Sequence, residues 1–213
     1  AGLAAAEELR RKGFKIIVYD RYDRPGGLLT YGIPNFKLEK EVVKKRIDRL
    51  IRSGIVFKLN CHIGKDISFK DVQSKHDAIL IATGVYKSRE IYLNLNNSSN
   101  VVPALEYLTV SNKVCLNDVV ENFSNGKLNA QNKNVVVIGG GDTAMDCVRT
   151  AIRQGAKSVK CLYRRDKKNM PGSQHEVENA IEEGVDFHWL TLPVEFVGNE
   201  IIKQTKIIKM QLG

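Results

Sequence analysis

The chain has 213 residues, 43% of them hydrophobic and 27% charged, the proportions of a globular protein of one or two domains with a sizeable core. Runs such as Ala78 to Ala82 are far shorter than the ~20 apolar residues of a membrane-spanning helix, and the size excludes a disulfide-stapled miniprotein. The formal net charge of +9 favours anionic partners, whether nucleic acid, phosphorylated cofactor or an acidic protein face.

Residues 2 to 12 are strong helix formers with acids early, bases late and Gly13 just past the end, which suits the helix dipole and a left-handed cap. Lys15 to Asp20 follows as a short β-branched run ending in an acid and reads as a buried parallel strand. A helix and then a strand make up the latter part of a βαβ unit, so the opening strand and glycine turn are expected ahead of Ala1. Asp20 stands where a carboxylate takes both hydroxyls of an unphosphorylated adenosine ribose; the alternative is a solvated acid in a turn. The paired glycines of Pro25-Gly26-Gly27-Leu28 suit close backbone approach to a flat ligand as well as an ordinary turn.

Between residues 39 and 53, Val43, Ile47, Leu50 and Ile51 fall at helical spacing with Glu41/Lys45 and Asp48/Arg52 as i,i+4 pairs, which predicts an amphipathic helix. Residues 37–58 carry eight Lys or Arg, and residues 149–168 carry eight against Asp166 alone. Both basic stretches read as solvated faces, or as surfaces for an acidic partner or for cofactor phosphates. Neither interleaves aromatics for base stacking, so no nucleic-acid partner is expected. Residues 78–82 predict a strand. Residues 94–100 and 122–134 are loop-like, and the second predicts a domain junction.

The pattern of the first residues then recurs complete. Val135 to Ile138 is an apolar strand, Gly139-Gly140-Gly141-Asp142-Thr143-Ala144 reads GxGxxA, and a helix to Gln154, a capping Gly155 and a strand from Ser158 to Tyr163 follow. Gly13 follows Gly2, and Gly155 follows Ala144, by the same eleven residues, so two units of one kind are expected. In the complete one, Gly139 permits the tight turn, Gly141 lets backbone approach a pyrophosphate, and Ala144 keeps helix close to strand. Set between a strand and a helix, the motif predicts dinucleotide binding over a structural glycine turn. About 20 positions on, where an acid would select NAD(H), stand Arg164 and Arg165, whose planar guanidinium forks suit a 2′-phosphate. NADP(H) is favoured; the alternative is that one arginine merely solvates a loop.

Cys61, Cys115, Cys147 and Cys161 form no CxxC and no metal-ligand grouping. They read as reduced thiols of a cytoplasmic protein, with no metal site and no membrane association. His62, His76, His175 and His188 are scattered, and none is assigned a catalytic task.

Gly26 to Leu38 (GGLLTYGIPNFKL), Ala82-Thr83-Gly84, Gly139 to Cys147 (GGGDTAMDC) and Tyr163 to Ser173 (YRRDKKNMPGS) together closely resemble the small subunit of NADPH-dependent glutamate synthase. Near relatives of that family include the flavin-bearing part of dihydropyrimidine dehydrogenase and ferredoxin:NADP oxidoreductases. The resemblance covers the whole chain. It implies an α/β flavoprotein reductase of two Rossmann-like dinucleotide-binding units, with residues 1–129 a partial FAD-binding domain and residues 130–213 an NADPH-binding domain. By the same resemblance, Gly2 closes the FAD fingerprint, Asp20 holds the FAD ribose, and Gly27, Leu28, Gly32, Ile33 and Pro34 lie along the flavin. Thr83 and Gly84 bring backbone near FAD again. Gly139, Gly141, Asp142, Thr143 and Ala144 cradle the NADPH pyrophosphate, and Arg164 and Arg165 take its 2′-phosphate. The implied activity carries electrons from NADPH through FAD and iron–sulfur clusters to the glutamate synthase large subunit, where glutamine and 2-oxoglutarate yield glutamate. The cysteine-rich segment that would ligate the clusters is not in this chain, which reads as an internal part of the subunit. Related reductases with another electron sink, and a non-catalytic NADP-binding or docking fragment, are the alternatives. The flavin carries the hydride chemistry, so no side-chain acid or nucleophile is expected.

Overall fold

A computed structural model describes residues 1–87 and 98–212. The chain divides into two compact units, residues 1–86 and 87–213.

The first unit opens with α1 (Gly2–Arg11) and β1 (Ile17–Tyr19). Gly13 takes φ +93°, the left-handed turn that ends a helix and that a side chain would resist. After the four-residue α2 (Leu28–Tyr31), the predicted amphipathic helix forms as α3 (Lys40–Arg52). It leads to β2 (Val56–Lys58), which pairs parallel with β1, and a short α4 (Phe69–Ser74) follows. Ala6 of α1 meets Val43, Ile47 and Leu50 of α3 and Ile55 in a core flanked by Ile16, Val18 and Phe57. The helical stripe read from the sequence is therefore the buried one, although Ile51 lies outside it, 51% exposed.

The strand predicted at residues 78–82 does not form. No described strand pairs with those residues, and Leu80 and Ile81 are 64% and 71% exposed. A strand is defined by a ladder partner, and composition alone does not supply one.

The second unit contains α5 (Ala104–Cys115), α6 (Glu121–Ser124) and β3 (Asn134–Ile138), then α7 (Asp142–Arg153), β4 (Ser158–Leu162) and a 3₁₀ turn at Lys167–Asn169. It continues through α8 (Gln174–Glu182) and β5 (Asp186–His188) to the hairpin of β6 (Thr191–Gly198) and β7 (Ile202–Lys209). The strand order is β3-β4-β5, all parallel, as βαβ connections require. Helix α7 is buried continuously from Ala144 to Ala151, because the sheet, α5 and α8 all pack against it. Met145, Val148 and Ala151 lie at its core with Val159, Cys161 and Val177.

Residues 104–130 pack within this second unit. Gln154 at the end of α7 accepts from the Tyr107 hydroxyl at 2.8 Å and the Ala130 amide at 3.0 Å, and donates to the Ser111 hydroxyl at 3.1 Å. The packing divides the chain after Tyr86, well before the loop at 122–134 where composition placed a junction. Of the loop-like stretch at 94–100, residues 94–97 lie outside the described residues. Ser99 and Asn100 are bound to the hairpin turn, the Ser99 amide to the Glu200 carbonyl at 2.8 Å and the Ile202 amide to Asn100 Oδ1 at 2.8 Å.

Candidate functional site

In the second unit β3 runs directly into the glycine turn. Gly139 takes φ +140°, closed to most side chains, and its amide donates to the Leu162 carbonyl at 3.0 Å. Gly141 caps α7 with an ordinary extended backbone, φ −88° and ψ 172°. A side chain built there meets no atom within 4 Å, so neither strain nor the protein's own packing calls for glycine at this position. What its bareness leaves is open space at the start of α7, whose first amides, like those of any helix start, have no intrahelical acceptor and suit an anion. Ala144 is buried, and its methyl lies 3.6 Å from where a Cβ at Gly139 would sit; a larger residue would push helix from strand. Asp142 and Thr143 are exposed at the helix start, and Asp142 Oδ1 accepts the Ser173 amide at 2.8 Å. That carboxylate, which would repel a phosphate, is thereby committed to the protein.

Arg164 and Arg165 directly follow β4 and Tyr163. Both are exposed, and neither forms an ion pair among the described residues. Not all the basic residues of 149–168 are like them. Arg149 is buried, its Nε and Nη2 on Glu183 Oε1 at 3.0 and 2.7 Å and its Nη1 on Glu176 Oε2 at 2.8 Å, while Arg153 reaches the same Glu183 oxygen at 2.7 Å. Burial would raise the Glu183 carboxyl, but hydrogen bonds from Arg149 and Arg153 outweigh it and hold the group below its ordinary value. These two arginines lash α7 to α8, and Arg149, being buried, leaves the solvated face read from the charge count, whereas Arg153 stays 47% exposed.

In the first unit, two of the expected residues, Gly27 and Gly84, lie against an aromatic that sequence reasoning missed. Gly27 has φ +56° and Gly84 φ +73°; a Cβ on Gly27 would lie 3.2 Å from the Tyr86 hydroxyl, and one on Gly84 3.4 Å from the Tyr86 ring. The Arg21 guanidinium stands 4.6 Å from the Tyr86 ring centroid and 5.0 Å from that of Tyr22. Asp20, just before them, is half-buried; desolvation raises its carboxyl, opposed by the Tyr22 amide, which donates to Oδ1 at 3.0 Å. Gly2 sits against Ala82, where a Cβ on Gly2 would lie 3.1 Å from the Ala82 methyl, the counterpart of the close approach at Ala144. Thr83 and Leu28 are exposed, whereas Gly32 and Pro34 are buried and Ile33 is half-buried. Behind them lies Lys40, also buried, whose ammonium donates to the Leu29 carbonyl at 3.0 Å and to that of Ile33. Sequence counting placed Lys40 on a solvated basic face, and nothing local distinguishes it from its neighbours. The Tyr31 phenol is buried and pushed up to about 12 by desolvation and by its hydrogen bond to Asp23.

Cys147 and Cys161 are buried and free, their thiols pushed up to about 12 by desolvation. Among the described residues no group of three or more His, Cys, Asp or Glu could hold a metal ion, and no helix is long and apolar enough to cross a membrane.

The family described as pyridine nucleotide-disulphide oxidoreductase matches residues 1–211. The chain is 59% identical over 213 residues to the glutamate synthase [NADPH] small chain of Azospirillum brasilense, covering all of this chain and 44% of that one. It is 46% identical over 215 residues to the small chain of Escherichia coli K12, covering all of this chain and 45% of the relative. The chain therefore spans about half the length of these curated relatives. Among solved structures, FprA of Mycobacterium tuberculosis in complex with NADPH superposes with a TM-score of 0.81 at 13% identity, over 97% of this chain and 61% of that one. At that identity the likeness is one of fold.

Proposed function

The chain belongs to the pyridine nucleotide-disulphide oxidoreductase family, and from that premise we propose that it is the nucleotide-handling part of a cytoplasmic glutamate synthase small subunit. In this reading the intact subunit takes electrons from NADPH, passes them through FAD and iron–sulfur clusters, and delivers them to a large subunit that makes two glutamates from glutamine and 2-oxoglutarate. The identities to the two small chains support the assignment.

The observation that carries the nucleotide reading is the open space at Gly141. A glycine that its own fold does not need, at a helix start, beside two exposed and unpaired arginines, fits a pyrophosphate and a 2′-phosphate together. The residues thus fit NADPH: Gly139, Gly141 and Ala144 shape the turn, the amides of Asp142 and Thr143 meet the pyrophosphate, and Arg164 and Arg165 the 2′-phosphate. The first unit fits FAD through Gly2 and Asp20, then Gly27, Leu28, Gly32, Ile33 and Pro34, then Thr83 and Gly84. Tyr86 and Lys40 order that surface. Nicotinamide and flavin, when bound, supply the hydride chemistry; the side chains bind and orient. Iron–sulfur clusters do not fit the described residues, which offer no grouping of ligands.

The test is a pair of titrations. Arg164→Glu with Arg165→Glu should weaken NADPH by about 10- to 100-fold, the loss of one or two charge-assisted hydrogen bonds, while NADH changes little. Equal loss for both nucleotides would overturn the reading.

A further inference from the structure

Resting on that nucleotide reading, we infer that Tyr163 is a positioning residue for the 2′-phosphate, holding the segment that carries Arg164 and Arg165 against the glycine turn. The starting point is a glycine that the GxGxxA pattern leaves unexplained. Its second position is free to be any residue, yet Gly140 stands there. A Cβ on Gly140 would lie 2.5 Å from Tyr163 Cδ2 and 2.6 Å from Cε2. The phenol ring therefore rests on a bare Cα, and glycine is needed for the ring.

Tyr163 is held on every side. Its amide donates to the His188 carbonyl at 3.0 Å and its carbonyl accepts the Thr191 amide at 2.9 Å. Its hydroxyl donates to the Asn169 carbonyl at 2.7 Å. Asn169 is fixed in turn by Asp166, whose Oδ1 accepts from the Asn169 backbone and side-chain nitrogens at 2.9 and 2.7 Å. The segment then returns to where it started. The Gly172 amide donates to the Gly140 carbonyl at 3.0 Å, and the Ser173 amide to Asp142 at 2.8 Å. Gly172 is itself so close that a Cβ would sit 3.0 Å from the Gly140 oxygen.

The contacts form a closed ring, from Gly140 through Tyr163, Asn169 and Gly172 back to Gly140. Arg164 and Arg165 project from it, exposed and unpaired among the described residues. Two arginines on a loose loop would lose backbone and rotamer freedom when they met a phosphate. On the ring, the backbone part of that loss has already occurred on folding. The ring also fixes the spacing between the pyrophosphate amides and the 2′-phosphate cations, which is what discriminates a phosphorylated ribose from a bare one.

Tyr163→Phe keeps the ring and removes only the hydroxyl contact to Asn169. Titrated into the full chain and followed by nicotinamide fluorescence, NADPH should bind about 3- to 10-fold more weakly to this variant, the span of one hydrogen bond, while NADH stays within about twofold. In the Arg164→Glu, Arg165→Glu background the same change should have no further effect on NADPH. Gly140→Ala, which drives the ring off the turn, should shift the ratio of the two affinities in the same direction. A merely structural role would move both nucleotides alike; such a parallel shift, or an unchanged NADPH affinity in Tyr163→Phe, overturns the inference. If the double arginine variant loses its preference while Tyr163→Phe does not, the positioning fails and the nucleotide reading stands. If the arginine variant keeps its preference, or the wild-type chain binds no NADPH, the reading fails and the inference with it.

Discussion

Each unit ties one helix to a neighbour through one carboxylate holding several arginines, but the two do so in opposite senses and in different surroundings. In the first, the acid is on the leading helix. Glu7 of α1 accepts Arg49 at 2.8 Å and Arg46, both from α3, and Arg11 from its own helix at 3.1 Å, with the Arg49 and Arg11 side chains 58% and 62% exposed. In the second, α7 supplies the arginine, and the Arg149 side chain is 9% exposed between Glu176 and Glu183. The first arrangement keeps its carboxylate largely covered, Glu7 being 13% exposed, but its arginines stand in solvent, where water and salt screen them. The second is a desolvated pair whose partners cannot be separated without leaving a buried charge. The complete GxGxxA turn thus stands on a helix buried from Ala144 to Ala151, whereas α1 buries only Ala6.

The largest effect should come from Arg149→Ala, which removes the buried cation that Glu176 and Glu183 share, leaves Glu183 to Arg153, and should destabilise the second unit by about 3–5 kcal/mol in denaturant melts. Next, Gly141→Val should leave the fold intact, since its space is open and its φ is ordinary. It should nevertheless weaken NADPH by at least about 100-fold, or ~2.7 kcal/mol; a folded variant with undiminished binding would remove the pyrophosphate from this turn. An acid titration is a smaller probe. Because Glu183 is held below its ordinary value of 4.5, its contribution is present above that value and lost as pH falls through the folded value. Melting temperatures followed below pH ~4.5 should therefore fall more steeply for the wild type than for Glu183→Gln. The smallest expected change is that of Arg49→Ala, below about 1 kcal/mol and shrinking further in salt. A loss as large as that of Arg149→Ala would erase the contrast between the two units.

Much of this was legible along the chain because the signals are local. Gly13 and Gly155 end their helices with φ +93° and +81°, a backbone constraint that reads directly as glycine. Strand β3, the end of helix α7 and strand β4 fall within a residue of their expected bounds, since GxGxxA sets turn, cap and packing distance at once. The predicted strand at 78–82 shows the limit. Its apolar composition is that of a strand, but pairing depends on a partner elsewhere, and Leu80 and Ile81 stand exposed.

Basic residues show it again. Lys40, Arg149 and Arg164 look alike in a count of charges, yet one is buried on backbone carbonyls, one is buried between two glutamates, and one is exposed and unpaired. Tyr86 carries no motif, Tyr163 opens a quoted stretch without a role read for it, and Gly140 occupies a position that GxGxxA leaves free. By itself, then, the sequence determined the two helix-and-strand units, the glycine turn and the residue types suited to phosphate, because turn geometry and hydrophobic periodicity act over a few neighbouring residues. Only the tertiary structure decided which cations are free to meet a ligand, which are committed to the fold, and which aromatics order the turns, because burial and pairing depend on contacts between residues far apart in the chain.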